Sequence, residues 1–281
     1  MEISIFLPVT SRRRPFHNVE DKTRAGAEAR PGSQSVRRAL DLLSLVSRWE
    51  RRGGLSVAAI AEETGLARPT THRLLAELLH AGYLEQAPDR RYRLGPESYV
   101  VGAAAELRYG VQQQSVAAAT RLAGASEDVA FVSIRRHHHH VCVHREEGRW
   151  PIRSHVLHVG DRLPLGVGAA GLAFLAALAP EVAAAAVAAN EHEVVREHPH
   201  LTPDVVLGLV AAARERHGVA INRGLVVDDS AGISLVVPAR QGDPVVALGI
   251  ATISSRMQPE RERWLETLLK REVEHLSRSE Q

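Results

Sequence analysis

Five histidines and the only cysteine of the 281-residue chain crowd into "HHHHVCVH", His137–His144. Imidazole and thiolate are the usual protein ligands of zinc, and a zinc-held water would make a metal-dependent hydrolase. Consecutive residues of a strand point to opposite faces, so four adjacent histidines cannot converge on one ion. Only His138, His140, Cys142 and His144 could share a face, and they would still need partners from elsewhere. The run is therefore read as a polar hairpin turn leading into a strand, with a metal-dependent enzyme using His137–His144 as the alternative.

A second candidate is "GVGAAG", Gly166–Gly171, which satisfies the GxGxxG pattern of dinucleotide-binding folds. That chemistry needs a buried strand directly before the glycines and an acidic residue about 20 positions on, past the next strand. Here the charged, proline-broken "HVGDRLPL" precedes and two helices follow, so a dehydrogenase is not expected. Small residues at a helix N-terminus leave backbone N–H groups open, which favours a bound carboxylate. No HExxH or CxxC occurs, and "GISLVV" is not a nucleophile elbow. His155, His158, His192 and His198 read as surface or locally bonded side chains rather than ligands. No catalytic set emerges, and neither an enzyme nor a cofactor is expected.

A third set is "ARPTTHR", Ala67–Arg73. Ser56 can cap one short helix, Gly65 permits a tight turn, and Pro69 suits the first turn of a second helix, because its missing N–H would be unpaired there anyway. A helix-turn-helix puts the start of its second helix in the major groove. Arg68, Thr70, Thr71, His72 and Arg73 are then the candidate DNA-binding residues. Arginine pairs bidentately with guanine, and threonine meets a base edge, a thymine methyl or a phosphate. "GYLEQ" and "RYRLG" read as two strands of a wing around "APDR". Arg90, Arg91 and Arg93 on that wing would supply phosphate contacts that fix register.

The elements that hold these residues divide the chain. Residues 1–95 carry 16 Lys and Arg against 11 Asp and Glu (+5), and the remainder 19 against 22 (−3), a basic head on a mildly acidic body. A basic head points to a polyanionic partner. Residues 1–32 show no period and are read as a disordered arm. Residues 33–96 form the winged helix-turn-helix, opened by an amphipathic helix whose apolar positions include Val36, Leu40, Leu43 and Val46. Residues 97–112 read as a linker helix. Residues 113–278 alternate strands and helices, implying an antiparallel or mixed sheet flanked by helices, read as mostly antiparallel, so the fold class is α+β. No run approaches the ~18 apolar residues of a membrane span. A lone cysteine fits a reducing compartment, and a cytoplasmic location is expected.

The order of elements resembles the IclR family of bacterial transcription regulators. The resemblance is carried by "SVAAIAEETGLARPTTHRLLAELLHAGYLE", "RYRLGPESYVVG", "VGDRLPLGVGAAGLAFLAALA" and "ISLVVPARQGDPVVALGIA", and covers roughly residues 34–278. It implies a winged helix joined to a GAF-like α/β domain that binds a small effector, often a carboxylic acid. It also implies a homodimer or homotetramer acting, as a repressor, on a palindromic double-stranded DNA operator. By the same resemblance the effector-binding positions correspond to Gly168, Ala169, Ala170, Ser234, Gly249 and Ala251. Several family members carry a hydroxyl or thiol where this chain has Gly249 and Ala251, which implies a bulkier or more apolar acid than a small keto acid. A module that binds proteins rather than DNA is the third class, and a flat response in DNA assays would support it.

Overall fold

A computed structural model of the chain describes residues 33–108, 111–151, 157–238 and 245–279. The expected arm, 1–32, lies outside them. Two compact units divide after Arg108. In the first, α1 (Ser33–Trp49) buries Leu42, Leu45 and Val46, while Val36 and Leu40 stand exposed, so the buried stripe starts a turn later than the periodicity predicts. The chain then turns through Gly53 and Gly54, both left-handed, with φ of 80° and 81°. At Gly54 a side chain is also sterically impossible, since a Cβ would lie 2.2 Å from the carbonyl oxygen of Tyr92.

The next helices form where the sequence marks them. Ser56 accepts a hydrogen bond from the Ala59 N–H and caps α2 (Val57–Thr64), and left-handed Gly65 ends it. Helix α3 (Arg68–His80) carries Pro69 in its first turn. Ile60, Leu74, Leu75 and Leu78 pack with Leu42, Val46 and Tyr92 into one core. The wing is the antiparallel pair β1 (Leu84–Gln86) and β2 (Tyr92–Leu94). Leu55 adds a third short rung against Tyr92, and the Glu50 carboxylate accepts the Leu94 N–H at 2.8 Å. These two contacts fix the wing to the end of α1.

The segment read as a linker, 97–112, covers nearly all of α4 (Pro96–Arg108) and reaches the start of α5 (Val111–Ser126). Helix α5 does more than connect. Its Ala118, Ala119, Leu122 and Ala123 are buried in the core of the second unit. That unit is built on a six-stranded antiparallel sheet in the order β5-β4-β3-β8-β7-β6. The strands are β3 (Val129–Arg136), β4 (His139–Glu146), β5 (Arg162–Pro164), β6 (Ala220–Arg223), β7 (Ser230–Val237) and β8 (Val246–Ile253). Helix α5 and α9 (Pro259–Ser279) cover one face through Val132, Ile233, Leu248 and Ile250. Helices α6 (Gly168–Ala176), α7 (Pro180–Glu197) and α8 (Pro203–Glu215) form a second core with Ala220 and Ala247, the sheet residues that point the other way. A smaller cluster on β3, β4 and β8 gathers Val129, Phe131, Cys142 and Leu157, with Leu163 and Ala251 against it. The mixed α/β architecture, helical head and antiparallel sheet match the expected fold class.

Candidate functional site

The start of α3 is an open, charged surface. Arg68, His72 and Arg73 are exposed, and Thr70 is half-buried. Ala67, the N-cap residue, has no side chain to cap the helix, so the first backbone N–H groups stay available, which suits a phosphate. Neither Arg68 nor Arg73 has an ion-pair partner among the described residues. Thr71 differs from the reading above. It is fully buried, and its hydroxyl donates to the Ala67 carbonyl at 3.3 Å, so it braces the helix from within. Helical geometry explains the split, because adjacent residues point about 100° apart.

The wing arginines divide as well. Arg91 reaches the carbonyls of Arg52 and Gly54 at 3.5 and 3.4 Å, with Asp89 at 3.7 Å. Arg93 donates from Nε to the Gly53 carbonyl at 3.2 Å. Both tie the wing to the segment after α1. Arg90 is exposed at the tip in a left-handed conformation, φ 63°.

In the second unit the implied effector residues converge on the sheet face under α6. Strand register sets Phe131 and Ser234 on either side of Gly249, and Val129 and Gly232 on either side of Ala251. Ala169 lies directly above Gly232, where an added Cβ would come within 3.6 Å of the alanine Cβ. Helix α6 starts from an extended Val167 without a capping side chain, and Gly168 takes the left-handed conformation. Gly171 lets the preceding loop lie against the helix, since a Cβ there would be 3.0 Å from the Gly166 nitrogen. Ser234 is not a free donor; its hydroxyl is spent on the Leu248 carbonyl at 2.7 Å. Gly232 belongs to this floor, though in "SAGISLVV" nothing chemical marks it.

The histidine run disperses. His137 takes the hairpin turn with φ 54°. His139 meets Glu193 of α7 at 3.1 Å. His140 is buried, with Nε2 3.4 Å from the Val167 carbonyl, and burial pushes its pKa down to about 4. A bulge beside Val132 and Ser133 breaks the alternation of β4, so that Cys142 faces Ser133 while His144 opposes Val132 and pairs with Glu146 at 3.2 Å. The shared face expected of His138, His140, Cys142 and His144 is thus lost at His144. Among the described residues no three His, Cys, Asp or Glu side chains gather to hold a metal ion, and no helix is long and apolar enough to cross a membrane.

Two family models match the chain. The IclR helix-turn-helix domain covers residues 35–88, and the C-terminal domain of the bacterial transcriptional regulator IclR covers residues 107–278. An HTH-type transcriptional regulator of Mycobacterium tuberculosis is 34% identical over 163 residues, a match that spans 58% of this chain and only 59% of that protein. The crystal structure of an IclR transcriptional regulator from Alicyclobacillus acidocaldarius shares the fold, with a TM-score of 0.73 at 24% identity over 86% of this chain and 97% of the other. So does an IclR homolog from Microbacterium hydrocarbonoxydans, solved as a complex with 4-hydroxybenzoate, with a TM-score of 0.66 at 20% identity over 86% and 97%. The proteins of this family and fold are regulators, not enzymes. With the matched C-terminal domain alone spanning more than half of its length, the chain belongs to the IclR family of bacterial transcriptional regulators.

Proposed function

We propose that the chain is a cytoplasmic, ligand-responsive repressor that binds a palindromic operator as a homo-oligomer and senses a small organic acid in its second unit. The observation that carries this reading is the uncapped start of α3, where Arg68 and Arg73 stand exposed without ion-pair partners on a helix braced by a buried core. Charges left unpaired on a rigid element are suited to base edges and phosphates. Repression needs only that an occupied operator overlap a promoter, so it is the simplest consequence of such a surface. Two observations support the acid: the open N-terminus of α6 above a floor of Gly232, Gly249 and Ala251, and the 4-hydroxybenzoate held by a protein of the same fold. Effector binding would act by favouring one arrangement of the paired heads over another, changing operator affinity by its differential affinity for the two.

Fluorescence anisotropy tests the reading, with DNA from upstream of the protein's own gene against scrambled DNA of equal length at about 150 mM salt, where nonspecific phosphate binding no longer mimics preference. A preference of about 1,000-fold or more is expected. Equal affinity for both DNAs would sink it. Removing the gene should raise expression from the same promoter, and a fall would make the protein an activator.

A further inference from the structure

Helix α3 carries a single carboxylate, Glu77, among its arginines and histidines. Each residue of a helix turns by about 100° from the last. The buried stripe of Thr71, Leu74, Leu75 and Leu78 therefore sets Pro69, Arg73, Ala76 and His80 opposite the core, with His72 about 70° to one side of that line and Glu77 about 70° to the other. Arg73, Ala76 and Glu77 are all exposed. Ala76 adds only a methyl group to this face, so little side chain stands between the backbone there and a groove floor. Arg73 and Glu77 are one turn apart, the spacing at which opposite charges pair along a helix. Neither makes an ion pair among the described residues. Their order is the weaker one, because a base placed four residues before an acid opposes the helix dipole at both ends. The carboxylate is thus left for whatever α3 meets.

Facing a polyanion, such a charge lowers affinity for every sequence unless a base donor meets it. Donors in the major groove are few. Cytosine offers its N4 amino group and adenine its N6 amino group, whereas guanine O6 and N7 and thymine O4 are acceptors that repel a carboxylate. Adenine N6 also sits beside the N7 acceptor, which opposes the second carboxylate oxygen, so cytosine is the base that Glu77 suits. Arg73 suits guanine, at O6 and N7. Glu77 follows Arg73 by about 6 Å along the helix, and bases of one strand are spaced by about 3.4 Å, so the cytosine falls within about two base pairs of the guanine.

We infer that Glu77 is a specificity-determining residue that accepts a hydrogen bond from a cytosine N4 amino group close to the guanine read by Arg73, and that rejects other bases at that position. This inference rests on the reading of α3 as the element that reads an operator. Selection from a randomised double-stranded DNA pool tests it, with the full-length chain and two variants. The wild-type chain should enrich a motif that holds the cytosine. Glu77→Gln should change that one base to adenine, whose N6 and N7 a carboxamide meets bidentately. Glu77→Ala should leave it unspecified, with the rest of the motif the same in all three. Anisotropy on the selected sequence should show that replacing the C·G pair weakens binding by the wild-type chain about 10-fold or more, the scale of one base contact, and leaves Glu77→Ala unaffected. A motif identical in all three proteins overturns the inference and leaves operator binding standing. So does a gain in affinity for Glu77→Ala that is equal on every sequence, which would make Glu77 a repulsive surface charge. If the wild-type chain enriches no motif, the operator reading falls and takes the inference with it.

Discussion

The two units carry their proposed contacts in opposite ways. In the winged helix the contacts are added matter: Arg68, His72, Arg73 and Arg90 project from a surface whose core would be the same without them. In the sensor the contacts are mostly missing matter, because Gly232, Gly249 and Ala251 matter for the side chains they lack. A polyanion is met by exposed charge, which costs the fold little. A small molecule is met inside the fold, where the groups that recognise it must be buried whether or not it is present. One consequence is energetic. Substitutions at the exposed positions of α3 should change binding without changing stability, while substitutions under α6 should change both.

The strongest test of that contrast is Arg68→Ala combined with Arg73→Ala. Each guanidinium in a bidentate base contact is worth about 1–3 kcal/mol of discrimination, so the pair should lower operator affinity by roughly 100-fold or more. The melting temperature should stay within about a degree, since neither side chain is bonded to the rest of the protein. Anisotropy titrations with calorimetric melts on the same samples check both halves. If affinity falls equally for operator and scrambled DNA, the two arginines are phosphate anchors and the base-reading groups lie elsewhere on α3.

The sensor should show the reverse coupling, through pH. His140 has a folded-state pKa of about 4 against an ordinary 6.5, because burial opposes its charge. Above pH 6.5 both folded and unfolded histidine are neutral and the group contributes nothing to the pH dependence. As pH falls below 6.5 the unfolded chain takes up a proton that the folded chain refuses, so stability is lost between about pH 6.5 and 4. The loss by pH 5 is about 2 kcal/mol at 1.36 kcal/mol per unit. Glu193 and Glu266 also have lowered pKa values, but their contribution is lost only as pH falls below the ordinary carboxylate value of 4.5, at the acid end of that window. Urea denaturation at pH 7.5 and 5.0 should show this drop, and His140→Phe should flatten it. An equally steep drop in the variant would place the acid sensitivity in another group.

The same contrast explains how much of the molecule was legible in the sequence. Ser56, Gly65, Pro69 and the Leu74, Leu75 and Leu78 spacing are local signals, and each marks the element found. The helices and long strands of the sensor were legible from their periodicity too. Strands β5 and β6 were missed, because three or four residues are too few to show alternation. That α5 contributes to the core of the second unit is not legible, because its buried alanines look like the exposed alanines beside them. The bulge at Val132 and Ser133 has no sequence mark, yet it alone moves His144 off the face of Cys142. Ser133 is the extreme case: a serine in an apolar strand reads alike whether its buried hydroxyl is bonded or, as here, unbonded among the described residues.

Thr70 and Thr71 bring the comparison down to two adjacent residues of one helix, with a smaller expected effect. Thr71 is fully buried and donates to the Ala67 carbonyl, which also accepts the Thr71 backbone N–H at 3.0 Å. Thr71→Val keeps the shape and removes one hydroxyl whose carbonyl partner stays bonded, so the cost is about 1 kcal/mol or less. For a unit of this size that is a fall of a few degrees in melting temperature. Operator preference should be unchanged, because the lost hydroxyl faces the core. Thr70→Val removes a hydroxyl from a half-exposed position on the same turn, so it should alter operator affinity by a few-fold and leave the melt alone. Paired melts and anisotropy titrations on the two variants resolve the outcomes. Should Thr71→Val lose operator preference with an unchanged melt, the reading face of α3 would be the one assigned here to the core, and the division between exposed contacts and buried supports would fail where it is drawn most sharply.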